Sequence, residues 1–486
     1  MKSNHKFWIS ILAAIAIFSF LLIANPFNVD AIAAKVLAIG GLMIMLWVTE
    51  AAAMPVVALL PLILFPLMGV ATMEETATPY ANPVIFLFMG GFMIGLAIEK
   101  WNLHRRIALN IVKLTGTSGD RIVLGFIIAT GFLSMWLSNT ATTMMMFPIA
   151  ASVILVMREN DNGKGHIKNF AVTLMLAIAY ASNIGGISTI IGTPPNVAFV
   201  AFIQKKYNYT IQFLDWMMVC FPMAFVLLVV LYWVMVKWMY PNKIASSNAT
   251  HEMINTEVKG LGKIGTAERR VLFIFLATAL LWITKDLINR LGVVTLNDTM
   301  IAILGAVALF ITPSGEEKPD EKFVLQWRDT NKMAWGILLL FGGGITLANQ
   351  MEKSGLITLM GNWLAGFSGS GGFILVLMIV LISVFLSELM SNVAQVIVFA
   401  PVIAGMADAL HINPLLLGIP MTLGASCAGM LPMGTPPNAI VFASGHIQLK
   451  DMLRVGLVMN IISVILIALF SYYLIPMFIE PGFGGR

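Results

Sequence analysis

The sequence predicts an all-α polytopic membrane protein, with about eleven transmembrane helices and two re-entrant hairpins in an inverted-topology repeat. Three observations predict it. Hydrophobic residues make up 59% of the 486-residue chain and charged residues 11%, with a mean hydropathy of +0.89, whereas a soluble domain carries roughly 25% charged residues. Two apolar regions are each too long for a single span and are broken midway by small polar residues. The two interruptions match one another across the halves of the chain.

The first apolar stretch, Phe7 to Ala24, follows Lys2 and Lys6. A signal peptide would end in a small-residue cleavage site, but Asn25-Pro26-Phe27 follows, so the stretch reads as a first transmembrane helix. Further segments near the length needed to cross a ~30 Å hydrocarbon core fall at roughly 34–49, 51–70, 83–99, 170–190, 215–237, 270–285, 298–312, 334–349, 413–431 and 452–478. The over-long regions are 121–157 and 371–407. A helix, a polar turn and a second helix returning to the same side make a re-entrant hairpin, which is tolerated only inside protein or beside a water-filled cavity. The organisation is therefore an N-terminal helix in 1–33, a first repeat in 34–240, a linker in 241–269 and a second repeat in 270–486. The linker carries Ser246-Ser-Asn and Gly260-Leu-Gly-Lys-Ile-Gly and reads as flexible. Leu103 to Leu114 is amphipathic, with Arg105, Arg106 and Lys113 on one side, and suits a helix in the interface plane.

The net charge of +5 does not indicate nucleic acid, because the basic residues sit in short loops between apolar segments. With the N-terminus cytoplasmic, 22 of the 29 Lys and Arg residues fall inside, which is the orientation that positive charge favours in a cell membrane. Cys220 and Cys427 lie in apolar segments and read as buried small hydrophobes. The six histidines, near membrane ends or in loops, form no metal-ligand spacing. No cofactor is expected, and no nucleophile–base pair marks an enzyme.

The internal repeat carries the chemistry. Ser134-Met-Trp-Leu-Ser138-Asn139-Thr140 matches Ser387-Glu-Leu-Met-Ser391-Asn392-Val393, and Pro148 matches Pro401, all at an offset of 253. Glu99-Lys100 matches Glu352-Lys353 at the same offset, and Phe86-Leu-Phe-Met-Gly-Gly matches Leu338-Leu-Leu-Phe-Gly-Gly at 252. Gly-Thr-Pro-Pro-Asn occurs twice, at 192–196 and 434–438. Five spans separate corresponding elements, an odd number, so the halves are inserted upside down relative to each other. Asn and Ser side chains and the carbonyls freed at helix breaks are neutral oxygen ligands suited to a hard cation. The second arm of each hairpin begins at its motif, so two helix N-termini converge and favour an anion. The simplest ligand set is a small dianion with Na⁺ beside it.

Alternative roles are weighed at each position. One Ser-Asn-Thr in a transmembrane helix is usually helix–helix glue, but two copies at equivalent repeat positions point to a site. Gly90-Gly91 and Gly342-Gly343-Gly344 suit close helix packing. Glu388 is an ionisable residue beside a motif and hence a functional candidate, although its counterpart Met135 means that the fold does not require a carboxylate there. Ser182, Asn183 and Ser426 supply polar atoms to the site or to packing.

With these motifs, the Leu338-Leu-Leu-Phe-Gly-Gly-Gly run, Ile440-Val-Phe-Ala-Ser-Gly-His and Arg454-Val-Gly-Leu-Val, the chain resembles the divalent anion–sodium symporter family, nearest its bacterial sodium–dicarboxylate members. The resemblance spans about Val36 to Met477. It implies a homodimer of elevator-type protomers, each with a scaffold and a transport domain. It implies a first Na⁺ site from Ser134, Ser138, Asn139 and the Gly192 carbonyl, and a second from Ser387, Asn392 and the carbonyls of Met390 and Gly434. Substrate would meet Ser138, Asn139 and Thr140 on one side, and Ser391, Asn392 and Val393 on the other, with Thr193, Thr435 and Pro436 lining the pocket. Val393 replaces the Thr of many bacterial relatives, and Ser387 stands where close relatives have Thr. The expected function is Na⁺-coupled symport of a C4 dicarboxylate such as succinate, fumarate or malate across the cell membrane. A sulfate or citrate/tricarboxylate carrier and a dicarboxylate exchanger are the alternatives within the class, and a channel is the alternative outside it.

Overall fold

A computed structural model describes residues 2–159, 166–242, 244, 248–292, 294–316, 321–366 and 372–479. Helices make up the architecture; among the described residues the only β pairing is an isolated bridge between Pro313 and Phe323. The first half contains α1 (Lys2–Ala24), α2 (Ala31–Thr49), α3 (Met54–Val57), α4 (Leu60–Leu67), α5 (Met73–Ala77), α6 (Pro83–Lys100), α7 (Leu103–Thr115), α8 (Gly119–Ser134), α9 (Asn139–Glu159), α10 (His166–Gly186), α11 (Pro194–Tyr207) and α12 (Phe213–Trp233). After α13 (Asn248–Gly260) in the linker, the second half contains α14 (Thr266–Arg290), α15 (Asp298–Ile311), α16 (Trp335–Lys353), α17 (Leu356–Ala365), α18 (Phe373–Leu386), α19 (Asn392–Ala409), α20 (Pro414–Ala425), α21 (Pro436–Phe442) and α22 (Leu449–Phe478).

Nine helices among the described residues are long and apolar enough to cross a membrane, two of them the second hairpin arms α9 and α19. Local sequence explains where the helices start. The side chains of Asp30, Asn82, Asn297 and Asn413 accept backbone N–H bonds at the first turns of α2, α6, α15 and α20. Proline interrupts the expected 51–70 span, which is two pieces, α3 and α4, with Pro55 and Pro61 in their first turns. Two other spans stop short. The segment expected over 170–190 ends at Gly186, and that expected over 413–431 ends at Ala425, because each unwinds before its Gly-Thr-Pro-Pro-Asn loop. Apolar composition runs on through the unwound stretch, so hydropathy alone overshoots the helix end.

The helices sort into two bundles. Helices α8–α12 pack with α18–α22, while α2–α6 pack with α14–α16. Each hairpin's second arm crosses to the other half, α9 packing on α21 and α19 on α11. Glycines set the close approaches in the second bundle. A Cβ on Gly90 would stand 2.7 Å from the Ala302 backbone, and one on Gly343 2.3 Å from the Ala58 carbonyl. Both glycine runs are therefore packing surfaces.

The ion pairs fall into two groups. Lys100–Asp329, Arg105–Glu257, Arg106–Glu268 and Lys237–Asp120 join segments expected on one side, and Lys206–Asp408, Lys353–Glu75 and Lys285–Asp298 join segments expected on the other. No pair among the described residues joins the two sides. The linker is more ordered than its composition suggests. Its helix α13 packs on α7 and α9, burying Ile254 and Thr250, and the arginines of α7 reach Glu257, Glu268 and the carbonyls of Leu261 and Gly262. Ser246 and Ser247 lie outside the described residues. Leu114 is 85% exposed in α7's last turn and Leu291 73% exposed just after α14, at places expected on opposite faces, and both native cysteines are buried. Of Leu114→Cys and Leu291→Cys, one reacts with a membrane-impermeant maleimide in intact cells and the other only after permeabilisation. Equal labelling of both would contradict the topology.

Candidate binding site at the two hairpin tips

The two hairpin tips have the same internal geometry. Helix α8 ends at Ser134 and α9 begins at Asn139, and the Ser134 hydroxyl donates to Asn139 Oδ1 at 2.7 Å. Helix α18 ends at Leu386 and α19 begins at Asn392, and the Ser387 hydroxyl donates to Asn392 Oδ1 at 2.7 Å. Both serines are fully buried. Ser387 also bonds the Ala425 carbonyl at the end of α20. Ser138 Oγ accepts the Ala141 N–H at 3.2 Å, as a helix N-cap does.

The second breaks are equally paired. Thr193 and Thr435 are extended, with φ near −145° and −144°, the conformation a following proline imposes. The asparagine two residues past each Thr-Pro supports the unwound turn. Asn196 Nδ2 donates to Thr189 O at 2.8 Å and Gly186 O at 3.4 Å, and Asn438 Nδ2 to Leu431 O at 3.2 Å and Ala428 O at 3.1 Å. Each member of the first set lies 242 residues before its counterpart. Hairpin and break are in contact. A Cβ on Gly186 would stand 2.3 Å from Asn139 Oδ1, and one on Gly192 2.4 Å from Gly186 O. Ser134, Asn139 and Gly192 are thus gathered around Gly186.

A cavity of about 1290 Å³ lies between the two bundles. Its inner wall contains Ser138, Asn139 and Thr140 from one tip, Met390, Ser391, Asn392 and Val393 from the other, and Thr193, Gly434, Thr435 and Pro436 from the breaks. Every residue expected to meet substrate lines it. Of the residues expected around Na⁺, Ser134, Ser387 and Gly192 lie behind this wall and the rest are in it. The first turns of α9 and α19 face this space, so their free N–H groups make it favourable to an anion, whereas α11 and α21 begin with two prolines each and offer none there. Asn183 joins the halves by donating to Thr435 Oγ1 at 3.0 Å and also lines the cavity. Ser182 pairs instead with Thr143 at 2.9 Å, and Ser426 is buried away from the cavity wall. Glu388 is not in the wall.

Sequence reading missed the opposite wall and the mouth. Thr49, Glu50, Met54, Glu99, Lys332 and Ala334 line them. Nothing in a single sequence distinguishes Glu99 or Lys332 from other loop charges. Trp136 is a further addition. Its ring stacks on Phe213 and Trp282 and meets Phe275 edge-on, with centroids 6.2, 6.5 and 5.0 Å away, so the first tip is held against α14. Leu389, at the equivalent place in the second tip, is 68% exposed. Among the described residues, no group of His, Cys, Asp and Glu is arranged to hold a metal.

Gly186→Ala forces a methyl against Asn139, and overpacking of this kind costs about 1–3 kcal/mol. The melting temperature in detergent is expected to fall accordingly. Gly260→Ala, with nothing within 4 Å of its Cβ, is expected to leave it unchanged or slightly raised. Equal melting temperatures for the two variants would show that the first site is not packed as described.

Known proteins resemble this chain in sequence and in helical arrangement. A family model described as the sodium:sulfate symporter transmembrane region matches residues 4–479. A protein of Staphylococcus saprophyticus named sodium-dependent dicarboxylate transporter SdcS is 39% identical over 462 residues, covering 94% of this chain and 89% of its own length. Its namesake from Staphylococcus aureus is 38% identical over 441 residues, covering 88% and 84%. The crystal structure of the YdaH transporter of Alcanivorax borkumensis, described as having an unusual topology, superposes with a TM-score of 0.56 at 15% identity over 85% of this chain and 88% of that one, a likeness of fold. With a family model matched from end to end, and hairpins and breaks duplicated as one site, the chain belongs to the family of membrane transporters defined by the sodium:sulfate symporter transmembrane region.

Proposed function

We propose that the protein is a secondary active transporter that couples Na⁺ entry to import of a C4 dicarboxylate. The observation that carries this reading is the convergence of both hairpin tips and both helix breaks on one cavity wall. The names of the Staphylococcus relatives support Na⁺ and a dicarboxylate. In this reading Asn139 Oδ1, the hydroxyls of Ser134 and Ser138 and the Gly192 carbonyl hold one Na⁺. Asn392 Oδ1, the Ser387 hydroxyl and the carbonyls of Met390 and Gly434 hold the second. The hydroxyl that each buried serine now donates to its asparagine turns to offer its oxygen when the cation binds. The carboxylates of the substrate meet the Ser138–Thr140 and Ser391–Val393 turns. Two cations offset the charge of the dianion, so neither ligand is held well alone, and this is the physical basis of coupling.

Movement follows from the bundle arrangement. Helices α8–α12 and α18–α22 carry the whole binding wall, and α2–α6 with α14–α16 supply the opposing surface. The first bundle is the transport domain and the second the scaffold of an elevator, in a protomer that works as a homodimer. The mouth with Glu50, Glu99 and Lys332 lies on the face that the distribution of Lys and Arg assigns to the cytoplasm, so the cavity opens inward. Trp136, packed on α14, then seals the outward side.

Uptake of labelled succinate into proteoliposomes tests the reading. An inward Na⁺ gradient is expected to raise uptake at least about tenfold over choline, and equal uptake in both would remove the coupling. Competition by unlabelled fumarate and malate, but not by sulfate or citrate, identifies the substrate; the reverse order would favour the sulfate reading that the family description suggests. Asn139→Ala and Asn392→Ala each remove a ligand to a charged group, worth about 1.5–3 kcal/mol, and are expected to lower uptake at limiting Na⁺ by about tenfold or more.

A further inference from the structure

Glu388 stands in the second hairpin tip, and the proposed binding chemistry leaves it unused. Its side chain is 4% exposed. One carboxylate oxygen, Oε1, accepts the N–H groups of Gly429 and Met430 at 2.8 Å each and Asn460 Nδ2 at 2.7 Å; Oε2 accepts the Leu431 N–H at 2.9 Å. All four partners are donors, so the group is received as an anion, and no Lys or Arg pairs with it among the described residues. Three consecutive backbone N–H groups converging on one anion form a nest. The network extends further. Asn460 Oδ1 accepts from Gly429 N at 3.1 Å, and the Tyr180 hydroxyl donates to Gly429 O at 2.7 Å, tying α22 and α10 to the same break.

The first half makes the equivalent tie with neutral groups. Thr189 Oγ1 donates to the Met135 carbonyl at 2.6 Å and accepts the Gly192 N–H at 3.0 Å. Met135 lies 253 residues before Glu388, and Thr189 lies 242 before Leu431, the repeat offsets of hairpin and break. Tip and break are thus joined at the same two positions in both halves. In the first half the polar side chain belongs to the break. In the second it belongs to the tip, and there it is charged. Glu388 Oε2 lies 2.9 Å from where a Cβ on Gly434 would stand, so the carboxylate touches the residue whose carbonyl is assigned to the second Na⁺.

We infer that Glu388 is a positioning residue that holds the 429–431 turn and sets a fixed negative charge beside the second cation site, making that site the tighter of the two and the first to fill. The inference rests on the Na⁺-coupled reading above. A nearby fixed anion raises the affinity of a site for a cation.

The test is a Na⁺ titration of the full-length protein, at constant ionic strength with choline. It is read as the midpoint of Na⁺-dependent thermal stabilisation in detergent and of Na⁺-activated succinate uptake. Glu388→Gln is expected to raise the midpoint of the tighter phase about tenfold, while Glu388→Asp, which keeps the charge, recovers most of the affinity. A variant that melts lower at every Na⁺ concentration with an unmoved midpoint has lost structure only, and that result would overturn the inference. Should Glu388→Gln fail to fold, Asn460→Ser removes one donor from the carboxylate and is expected to move the midpoint a few-fold; an unmoved midpoint there also refutes it. A wild-type protein indifferent to Na⁺ would remove both this inference and the Na⁺ reading, whereas a Na⁺-dependent wild type with unmoved variants removes this inference alone.

Discussion

Backbone groups inside a bilayer must find partners within the protein, and everything distinctive about this fold follows from that constraint. An unpaired N–H or C=O in hydrocarbon costs several kcal/mol, so a broken helix survives only where side chains take over the lost bonds. Four breaks are maintained here. At the hairpin tips, a buried serine and the first asparagine of the next helix bond each other. At the second breaks, Asn196 and Asn438 hold the carbonyls that α10 and α20 leave behind. The N–H groups of residues 429–431 are held by Glu388. These side chains give the breaks a fixed shape, and a fixed shape is what lets freed polar groups act as ligands.

Duplication makes this economical, because one solution to the break serves twice. Asn139 and Asn392, Ser134 and Ser387, and Asn196 and Asn438 repeat their contacts with little change. Divergence is then visible against a constant background. Trp136 packs into an aromatic cluster on α14, while Leu389 is exposed. Thr140 gives way to Val393, removing a hydroxyl from one side of the cavity. The tie between tip and break is neutral in the first half and charged in the second. Two polar clusters of one ancestry are therefore placed in unlike fields.

The surroundings of the site are less symmetric than its centre. The cavity's inner wall belongs to the duplicated hairpins and breaks, whereas its outer wall is contributed by α2, α3, α6 and α16. Glycines bring α6 against α15 and α16 against α3, so this second bundle is tightly knit. The linker helix α13 is fastened to α7 by the Arg105–Glu257 pair, and Arg106–Glu268 joins α7 to α14. An exposed pair such as Arg105–Glu257 contributes little stability, about 0–1 kcal/mol; its effect here is to fix where a polar helix lies.

Composition and the repeat offsets were enough to establish a membrane protein, most of its apolar helices, the duplication and where the two hairpins turn, because each depends on local chemistry or on spacing along the chain. Hydropathy overshot the ends of α10 and α20, since an unwound stretch inside protein is as apolar as the helix before it. The linker read as flexible because of its Ser246-Ser-Asn and Gly260-Leu-Gly-Lys-Ile-Gly runs, and its order comes from the packing of α13 on α7 and α9 and from arginines on another helix. The role of Glu388 was out of reach for the same reason: a lone acid beside a motif looks alike whether it meets a cation or a row of backbone N–H groups. Only the tertiary structure decided that, along with the opposing wall of the cavity and the seat of Trp136, because each depends on which distant segments the packing of helices brings within a few ångströms.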